Sequence, residues 1–315
     1  MTRKSIAILC ALMLSCGFAF SQSDDAGAAV TEEQKEDKKV NSLENQTSLR
    51  HYFEMSAIGG VSSFVGNPKQ GYFEPGYNTG LGFYYVMRSL KYHIGMRTGL
   101  AAESSQSLYK TTQGYSDRFS TFDGNGEPMD VNYSIQRLNE RHTQVYFTIP
   151  LQFSVFGENL AFHIGPKLSI PLADFSNQVL YNTDLSCYFP LSGKTVLSDA
   201  QLAAGFQEQQ TMSIRHDKIL PKIWILGSAE LTYDVEFKEH YALCFGLYAD
   251  YSFNHFTVEK SANPSLLYLT PKEEGSTTLV RKTDSALRAN INGSQMIDKF
   301  SYFAAGFKVA FKMYD

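Results

Sequence analysis

The chain of 315 residues is long enough for one large domain or two small ones, and its formal net charge of −4 gives no electrostatic reason to expect a nucleic-acid partner. Charged residues make up 19% of the chain and aromatic residues 14%, which excludes an intrinsically disordered protein. The mean hydropathy of −0.24 excludes a bundle of membrane-spanning helices. A β-rich, aromatic-rich protein remains.

The N-terminus has the three parts of a secretory signal peptide. Two basic residues precede an apolar run that ends near Phe20, and small residues stand just before the predicted cleavage after Ser21. The sequence therefore predicts that residues 1–21 are removed on export. Lipidation of Cys16 and an uncleaved membrane anchor are the alternatives.

The next segment, residues 22–49, is polar and low in aromatic residues, which predicts a disordered periplasmic tail; a docking helix is the alternative. Only Cys187 and Cys244 remain after signal cleavage, and they have no CxxC spacing. A disulfide framework needs more cysteine than this, so we expect a closed, hydrogen-bonded sheet to hold the remaining segment, residues 50–315, together.

From residue 50 onward, apolar and polar residues alternate with a period of two, which is typical of strands with one apolar and one polar face. The pattern predicts eight strands, at residues 52–64, 79–88, 92–102, 142–156, 160–172, 223–237, 241–253 and 303–313.

The connections alternate between tight turns and long polar links. Tight turns are predicted at Ser89–Lys91, Gly157–Asn159 and Lys238–His240. The long links comprise roughly 13 residues around Asn67 and roughly 40 at each of Glu103–Arg141, Ala173–Lys222 and Thr257–Lys299. Such alternation predicts an all-β fold: an antiparallel up-and-down transmembrane β-barrel of about eight strands, with short periplasmic turns and long external loops.

Period two alone would also fit a soluble lipocalin-type barrel, whose apolar face points inward. We favour the transmembrane form because the polar face combines glycine with balanced charge and each apolar face is about as long as a bilayer-crossing strand of 9–11 residues. The sequence thus predicts Phe245 and Leu247 in lipid, and Tyr248 and Ser252 in the lumen. Aromatic residues near the strand ends predict interfacial girdles; they include Tyr52, Phe53, Tyr92, Phe156, Phe237, Tyr241, Phe253, Phe256, Phe300, Tyr302 and Tyr314.

The charged residues of the polar faces are the candidate site. They are Glu54, Arg88, Arg97, Lys167, Glu230, Asp234, Asp250, Lys308 and Lys312. In so narrow a lumen we expect these charges to pair and fill the interior. Because the first and last strands are neighbours in a closed barrel, Glu54 should approach Lys308 or Lys312. The alternative is a water-filled lumen in which each charge is solvated alone.

The stretch Tyr146-Phe147-Thr148-Ile149-Pro150-Leu151, followed by Gly165-Pro166, resembles the "YxxIPL … GP" pattern of the small bacterial outer-membrane β-barrel domain family, which groups with OmpA- and OmpX-type barrels and includes PorT-like members. The closing segment Gly306–Phe311 resembles the terminal-strand signal read by the barrel assembly machinery, although it lacks the polar residue two positions before Gly306. The resemblance implies a location in the bacterial outer membrane.

Motifs for catalysis are missing from the sequence: it contains no phosphate-binding loop, HExxH or nucleophile elbow, so we expect no cofactor, no metal and no enzyme activity. Asp123–Glu127 resembles the start of a calcium loop, but Pro128 stands where glycine is needed, and a plain turn is the simpler interpretation. His93 and His163 are predicted as hydrogen-bonded lumen residues.

The predicted function is therefore non-enzymatic: display of long surface loops for binding, adhesion or envelope integrity. Its expected partners are outer-membrane lipid, the barrel assembly machinery through the C-terminal strand, and an extracellular ligand of unknown identity at the loops, with no nucleic acid. A narrow channel for small solutes and a lipid-modifying enzyme are the alternatives.

Overall fold

The structure, a computed structural model, describes residues 49–123, 125–196, 210–217, 223–238, 240–257, 265–272, 279–291, 294–297 and 299–314. The predicted signal peptide, and the predicted tail apart from Leu49, lie outside these residues. Among the described residues, none belongs to a helix with the length and hydropathy needed to cross a bilayer.

Sixteen strands occur in the described part of the chain. They are β1 (Leu49–Gly66), β2 (Gly71–Ser89), β3 (Ile94–Thr111), β4 (Tyr115–Phe122), β5 (Pro128–Phe156), β6 (Leu160–Phe189), β7 (Lys194–Val196), β8 (Gln210–Asp217), β9 (Trp224–Lys238), β10 (Tyr241–Ser252), β11 (Phe256–Thr257), β12 (Leu267–Pro271), β13 (Leu279–Thr283), β14 (Asn290–Ile291), β15 (Ser294–Gln295) and β16 (Lys299–Tyr314).

Eight of these strands close into a ring in the order β1-β2-β3-β5-β6-β9-β10-β16. Every neighbouring pair is antiparallel, and β1 closes the ring against β16 from the pair Tyr52–Tyr314 to the pair Gly66–Phe300. The predicted eight-stranded antiparallel barrel is confirmed. Closure pairs both edges of the sheet, which is what a strand structure needs in order to cross a bilayer.

The outer surface near the short turns is apolar and the lumen is polar. Phe245 and Leu247 are 48% and 52% exposed, whereas Tyr248 is 4% exposed and Ser252 is fully buried, so the predicted register of β10 is confirmed. On β5 the outward apolar residues run from Val155 to about Val145, and ten tilted residues cover about 25 Å, the height of the apolar band of a transmembrane barrel. We call this part the membrane band.

Beyond the membrane band the barrel continues as a long extension, which we call the distal half. β5 and β6 contain 29 and 30 residues, against 12 in β10. The predicted links Glu103–Arg141 and Ala173–Lys222 therefore differ in the structure, since much of each is strand. Similarly, only residues 67–70 separate β1 from β2. These stretches looked like loops because polar residues cover their wet outer face, while their backbone groups are paired in the ladder.

The buried face of β5 switches along the strand. From Phe156 back to Leu138 the buried residues are mainly even-numbered, as at Gln152 and Ser154, whereas from Ile135 back to Met129, at the far end of the distal half, they are odd-numbered. The switch occurs where the ladder leaves out one pair: Ile135 pairs with Thr183 and then Arg137 with Tyr181, so Gln136 and Asn182 form no ladder pair although the register is unchanged. We call this place the ladder gap. One irregularity thus exchanges the inner and outer faces.

The distal half is filled by the plug segment, which comprises the described residues 265–272, 279–291 and 294–297. It contains the hairpins β12–β13 and β14–β15. Its apolar side chains are buried in one cluster with the distal walls of β5 and β6, and they include Leu266, Leu267, Leu269, Leu279, Ala286, Leu287, Ala289, Met296 and Ile297. Part of the predicted loop Thr257–Lys299 is therefore an interior element.

The girdle prediction is correct for some aromatic residues and wrong for others. Phe53, Tyr92 and Phe253 are exposed, as expected, and so are Phe237 and Tyr241. Four members of the predicted set are instead buried, because their place in the alternation puts them on the inner face: Tyr52, Phe156, Phe300 and Tyr302.

Candidate functional site

The centre of the membrane band is occupied by Arg97 of β3, whose side chain is fully buried. Its Nη2 atom lies 2.8 Å from Glu54 Oε1, and its Nη1 atom lies 2.7 Å from both Glu230 Oε2 and Gln152 Oε1. One guanidinium therefore ties together β1, β3, β5 and β9 across the lumen. A planar group with five donors suits this role better than an ammonium would.

Two lysines extend the same network. Lys308 Nζ lies 2.6 Å from Glu54 Oε1 and 2.9 Å from Glu230 Oε2. Lys167 Nζ lies 3.3 Å from Glu230 Oε1 and 3.1 Å from Asp250 Oδ1. Glu230 thus contacts three cations, and the connected group contains three cations and three carboxylates. We call it the lumen network.

The remaining predicted site residues lie nearer the short turns. Lys312 Nζ donates to Asp234 Oδ1 at 2.7 Å, forming a separate pair. Arg88 does not join the lumen network: it donates to the Gly157 carbonyl at 3.1 Å and lies over the ring of Phe156. Its position one residue before the end of β2 places it at the barrel mouth, away from the central carboxylates.

Sequence reasoning missed three residues of this centre. Gln152 donates to Ser228 Oγ at 3.0 Å and accepts from Arg97, and the Tyr84 ring lies 3.7 Å from the Arg97 guanidinium carbon. Glu103 is buried near the top of the membrane band, although its position had marked it as the start of a link. For Gln152 and Tyr84 the signal was present, because both alternate with outward apolar residues.

The tyrosine depends on a neighbouring glycine. A Cβ atom added at Gly82 would stand 2.3 Å from the Tyr84 hydroxyl oxygen, so any other residue there would displace the ring on which Arg97 stacks. The glycines of the polar face thus make room for large side chains that cross the lumen.

The distal half has its own buried charge, Glu140 on β5. Glu140 Oε1 accepts from Ser176 Oγ and from Ser285 Oγ, each at 2.6 Å, and Oε2 accepts from the Ala286 amide at 2.6 Å. Gln178 Nε2 donates to Glu140 Oε2 at 3.2 Å and to the Asp284 carbonyl at 2.9 Å. Two of these donors belong to the plug segment, so Glu140 fastens it to the wall.

Titration of this fastening is coupled to a histidine. Burial alone would raise the pKa of Glu140, but His142 and the hydrogen bonds from Ser176, Ser285 and Ala286 outweigh it, so the pKa lies below the ordinary 4.5. Burial also lowers the pKa of His142 below 6.5, although Glu140 acts in the opposite direction. His142 Nε2 lies 3.5 Å from Glu140 Oε1.

The possible calcium loop at Asp123–Glu127 and the two histidines His93 and His163 can now be placed in the fold. Among the described residues, no cluster of three or more His, Cys, Asp or Glu is placed to hold a metal ion. Asp123 Oδ1 accepts from the amides of Asn125 and Glu127, as in a plain turn. His163 Nδ1 lies 2.7 Å from Ser154 Oγ inside the lumen, which confirms its predicted role, whereas His93 stands in a tight turn outside it.

Comparison with known proteins gives only distant matches. No protein-family model and no curated protein matches the chain. Among solved structures, the neisserial surface protein A is 8% identical, covers 84% of this chain and 96% of its own, and has a TM-score of 0.24. The outer-membrane protease OmpT of Escherichia coli is 7% identical over 84% and 97% of the two chains, with a TM-score of 0.27.

The translocator domain of the autotransporter NalP from Neisseria meningitidis is 10% identical, covers 89% of this chain and 95% of its own, and has a TM-score of 0.18. Scores this low carry no argument about function. The fold is established by the closed strand ladder itself.

Proposed function

We propose that this protein is an integral barrel of the bacterial outer membrane that does not conduct solutes and that holds its distal half outside the cell as a non-enzymatic binding surface. The apolar membrane band and the export signal support this location. In the same proposal, outer-membrane lipid covers the band, and β16 carries the segment that the barrel assembly machinery reads.

The observation that carries the proposal is the lumen network. An eight-stranded barrel has an interior only just wide enough for side chains, and here Arg97, Glu230 and Lys308 meet at its centre within hydrogen-bond distance. A solute would have to break several buried ion pairs to pass. The plug segment fills the lumen above the network, which adds a second barrier.

The distal half supports the binding role. Most of its wall is strand ladder, so the outer face presents side chains from fixed positions, which lowers the entropic cost of binding. Polar residues of β5 and β6 face outward there, including Asn132, Asn177 and Asp184. A protein that only stabilised the envelope would not need strands of this length.

Planar-bilayer recording tests the sealed lumen. We expect purified protein to give no steady conductance, in lipid in which an open porin, reconstituted alongside it, conducts. A large, steady conductance would overturn the proposal in favour of transport. A change in the mass of membrane lipids on overexpression would instead favour the lipid-modifying enzyme.

Epitope accessibility on intact cells tests the orientation. A short epitope inserted at Asn125, in the turn between β4 and β5, should be stained by antibody without permeabilisation. The matched control is the same epitope at Glu158, in the turn between β5 and β6, which should be stained only after permeabilisation. The reverse pattern would place the distal half in the periplasm.

A further inference from the structure

The outer face of the distal half contains a cleft of about 360 Å³ beside the ladder gap of β5 and β6. Polar side chains line most of it: Ser116, Ser134, Gln136, Asn182 and Asp184. Ser134 lies eleven residues beyond Val145, about 36 Å along the strand, so the cleft is well clear of the membrane band.

The strand register brings these residues together. Ser116 of β4 pairs with Ser134 of β5, which pairs with Asp184 of β6, so three polar side chains form one row across three strands. Directly below the row, the ladder skips Gln136 and Asn182. The ladder gap therefore interrupts the outer face next to a polar row that crosses it.

The backbone at the ladder gap is in an uncommon conformation. Asn182 has a φ of 49°, in the left-handed region, and its side-chain Nδ2 donates to Gln136 Oε1. Left-handed asparagine away from a hairpin turn costs free energy, and such residues concentrate at ligand sites. Here the conformation places two amides side by side at the cleft.

The tyrosine of the lining is oriented differently. Tyr115 borders the cleft, but its side chain is buried in the interior cluster, where its ring centroid lies 6.4 Å from that of Tyr133. The hydrogen-bonding groups that the cleft offers a ligand therefore come from the outward polar side chains.

The lining identifies the class of ligand. Two amides, two serine hydroxyls and one carboxylate offer both donors and acceptors, and none of the residues that line the cleft is basic. Phosphate or sulfate groups would meet the negative Asp184 without a compensating cation. A neutral ligand with many hydroxyl groups matches this set, and the volume is near the lower end of the range for small-ligand clefts, about 300–1,000 Å³.

We infer that this cleft binds an uncharged saccharide, such as a short neutral segment of a surface glycan. The inference deepens the proposed function and rests on its claim that the distal half is a binding surface outside the cell. It adds the ligand class and the residues that recognise it.

Binding is tested on the full chain, purified in a polyoxyethylene detergent because a glucoside or maltoside detergent would compete. The probes are immobilised neutral oligosaccharides of glucose, galactose, mannose and N-acetylglucosamine, with heparin as the sulfated comparison. We expect at least one neutral oligosaccharide to bind and heparin not to bind.

Two variants locate the site. Asn182→Gly keeps the left-handed backbone, which glycine adopts readily, but removes the amide, so the chain should fold while affinity falls about tenfold or more. Asp184→Ala should weaken binding to a similar extent. The matched control is Asn177→Ala, an exposed amide on the same strand outside the cleft, which should leave affinity unchanged.

The inference is overturned if no neutral oligosaccharide binds, if only heparin binds, or if both cleft variants bind as well as the unaltered chain. These outcomes are separate from failure of the proposed function. A conducting lumen or a periplasmic distal half would refute that function, whereas saccharide binding by the purified chain would still establish the cleft.

Discussion

The membrane band and the distal half of one barrel have opposite interiors. In the band, ion-paired side chains such as Arg97 and Glu230 fill the lumen and apolar residues face outward. In the distal half, apolar side chains such as Tyr133 and Leu267 fill the interior and polar residues face outward. The outer face of each half thus matches the medium that surrounds it, lipid or water. The interior has the opposite polarity: charged and polar in the membrane band, largely apolar in the distal half.

The two halves differ in polarity although the apolar residues of β5 follow the same alternation in both. Apolar residues keep to odd positions of β5 in both halves, at Val131 and Tyr133 as at Leu151 and Phe153. The alternation of the sequence does not shift; the inner and outer faces exchange at the ladder gap at Gln136, nine residues beyond Val145. A membrane wall and a water-soluble wall are therefore built from the same periodic pattern.

The largest effect is expected from a substitution that removes the central cation of the membrane band. Arg97→Ala leaves Glu54 and Glu230 with fewer cations in a buried site, which should lower the free energy of unfolding by about 3–5 kcal/mol. The measurement is urea unfolding in detergent. Arg88→Ala is the matched control, because Arg88 contacts Phe156 and Gly157 at the barrel mouth, and its loss should cost under about 1 kcal/mol. Equal losses would mean that the network does not hold the band together.

The next prediction tests the wall rather than the interior. Phe245→Arg places a charge in the apolar surface of the membrane band and should destabilise the folded barrel by about 2–4 kcal/mol. Thr211→Arg, on the exposed face of β8 in the distal half, should cost under about 0.5 kcal/mol. The fraction that stays folded on unheated gels reports both. If the two variants behaved alike, the boundary between lipid and water would be misplaced.

A smaller effect concerns the closing seam of the ring. Glu54 lies 2.6 Å from Lys308, whereas Lys312 pairs with Asp234. A double-mutant cycle should give a coupling energy of about 2 kcal/mol for Glu54 with Lys308 and clearly less for Glu54 with Lys312. Coupling near zero in the first cycle would favour a water-filled lumen in which the charges are solvated separately.

The membrane band was largely predictable because lipid imposes one rule on every strand. Alternation alone located all eight strands of the ring and the outward positions of Phe245 and Leu247. The same alternation picked out Glu54, Arg97 and Lys308 as inward charges. Their specific pairing needed three dimensions, since Glu230 meets Arg97 from 133 residues away.

The distal half was much less predictable. Beyond the lipid, outward residues can be polar and inward residues apolar, so the sequence of β5 before Val145 resembled a link. The ladder gap has no sequence signature of its own, because Gln136 and Asn182 are ordinary polar residues. Glu140 keeps the even-numbered inward alternation of the band, but its donors Ser285 and Ala286 lie about 145 residues further along the chain, and no pattern in the sequence places that segment inside the barrel.

The last and smallest predicted effect is a difference between the two halves in their response to pH. The pKa values of Glu140 and His142 lie below their ordinary values when the plug segment is closed, so an open, solvated state binds more protons. Acidification should therefore favour opening, first as the pH falls below about 6.5, where a solvated His142 takes up a proton, and again below about 4.5 through Glu140. Above both values the stabilisation is complete.

Hydrogen exchange of the plug segment between pH 7 and pH 4 measures this opening, and we expect a change of about 1–2 kcal/mol in its free energy. Glu140→Gln should abolish the step below pH 4.5, because the amide no longer titrates, while the earlier step through His142 persists. His216 and Asp174 face the same pair and are retained in both chains, so they do not account for the difference. The amides of β10 serve as the internal control, since the ion-paired membrane band should not open over this range. Exchange that rose equally in β10 and in the plug segment would mean that the whole barrel unfolds as one unit and that Glu140 holds no separate element.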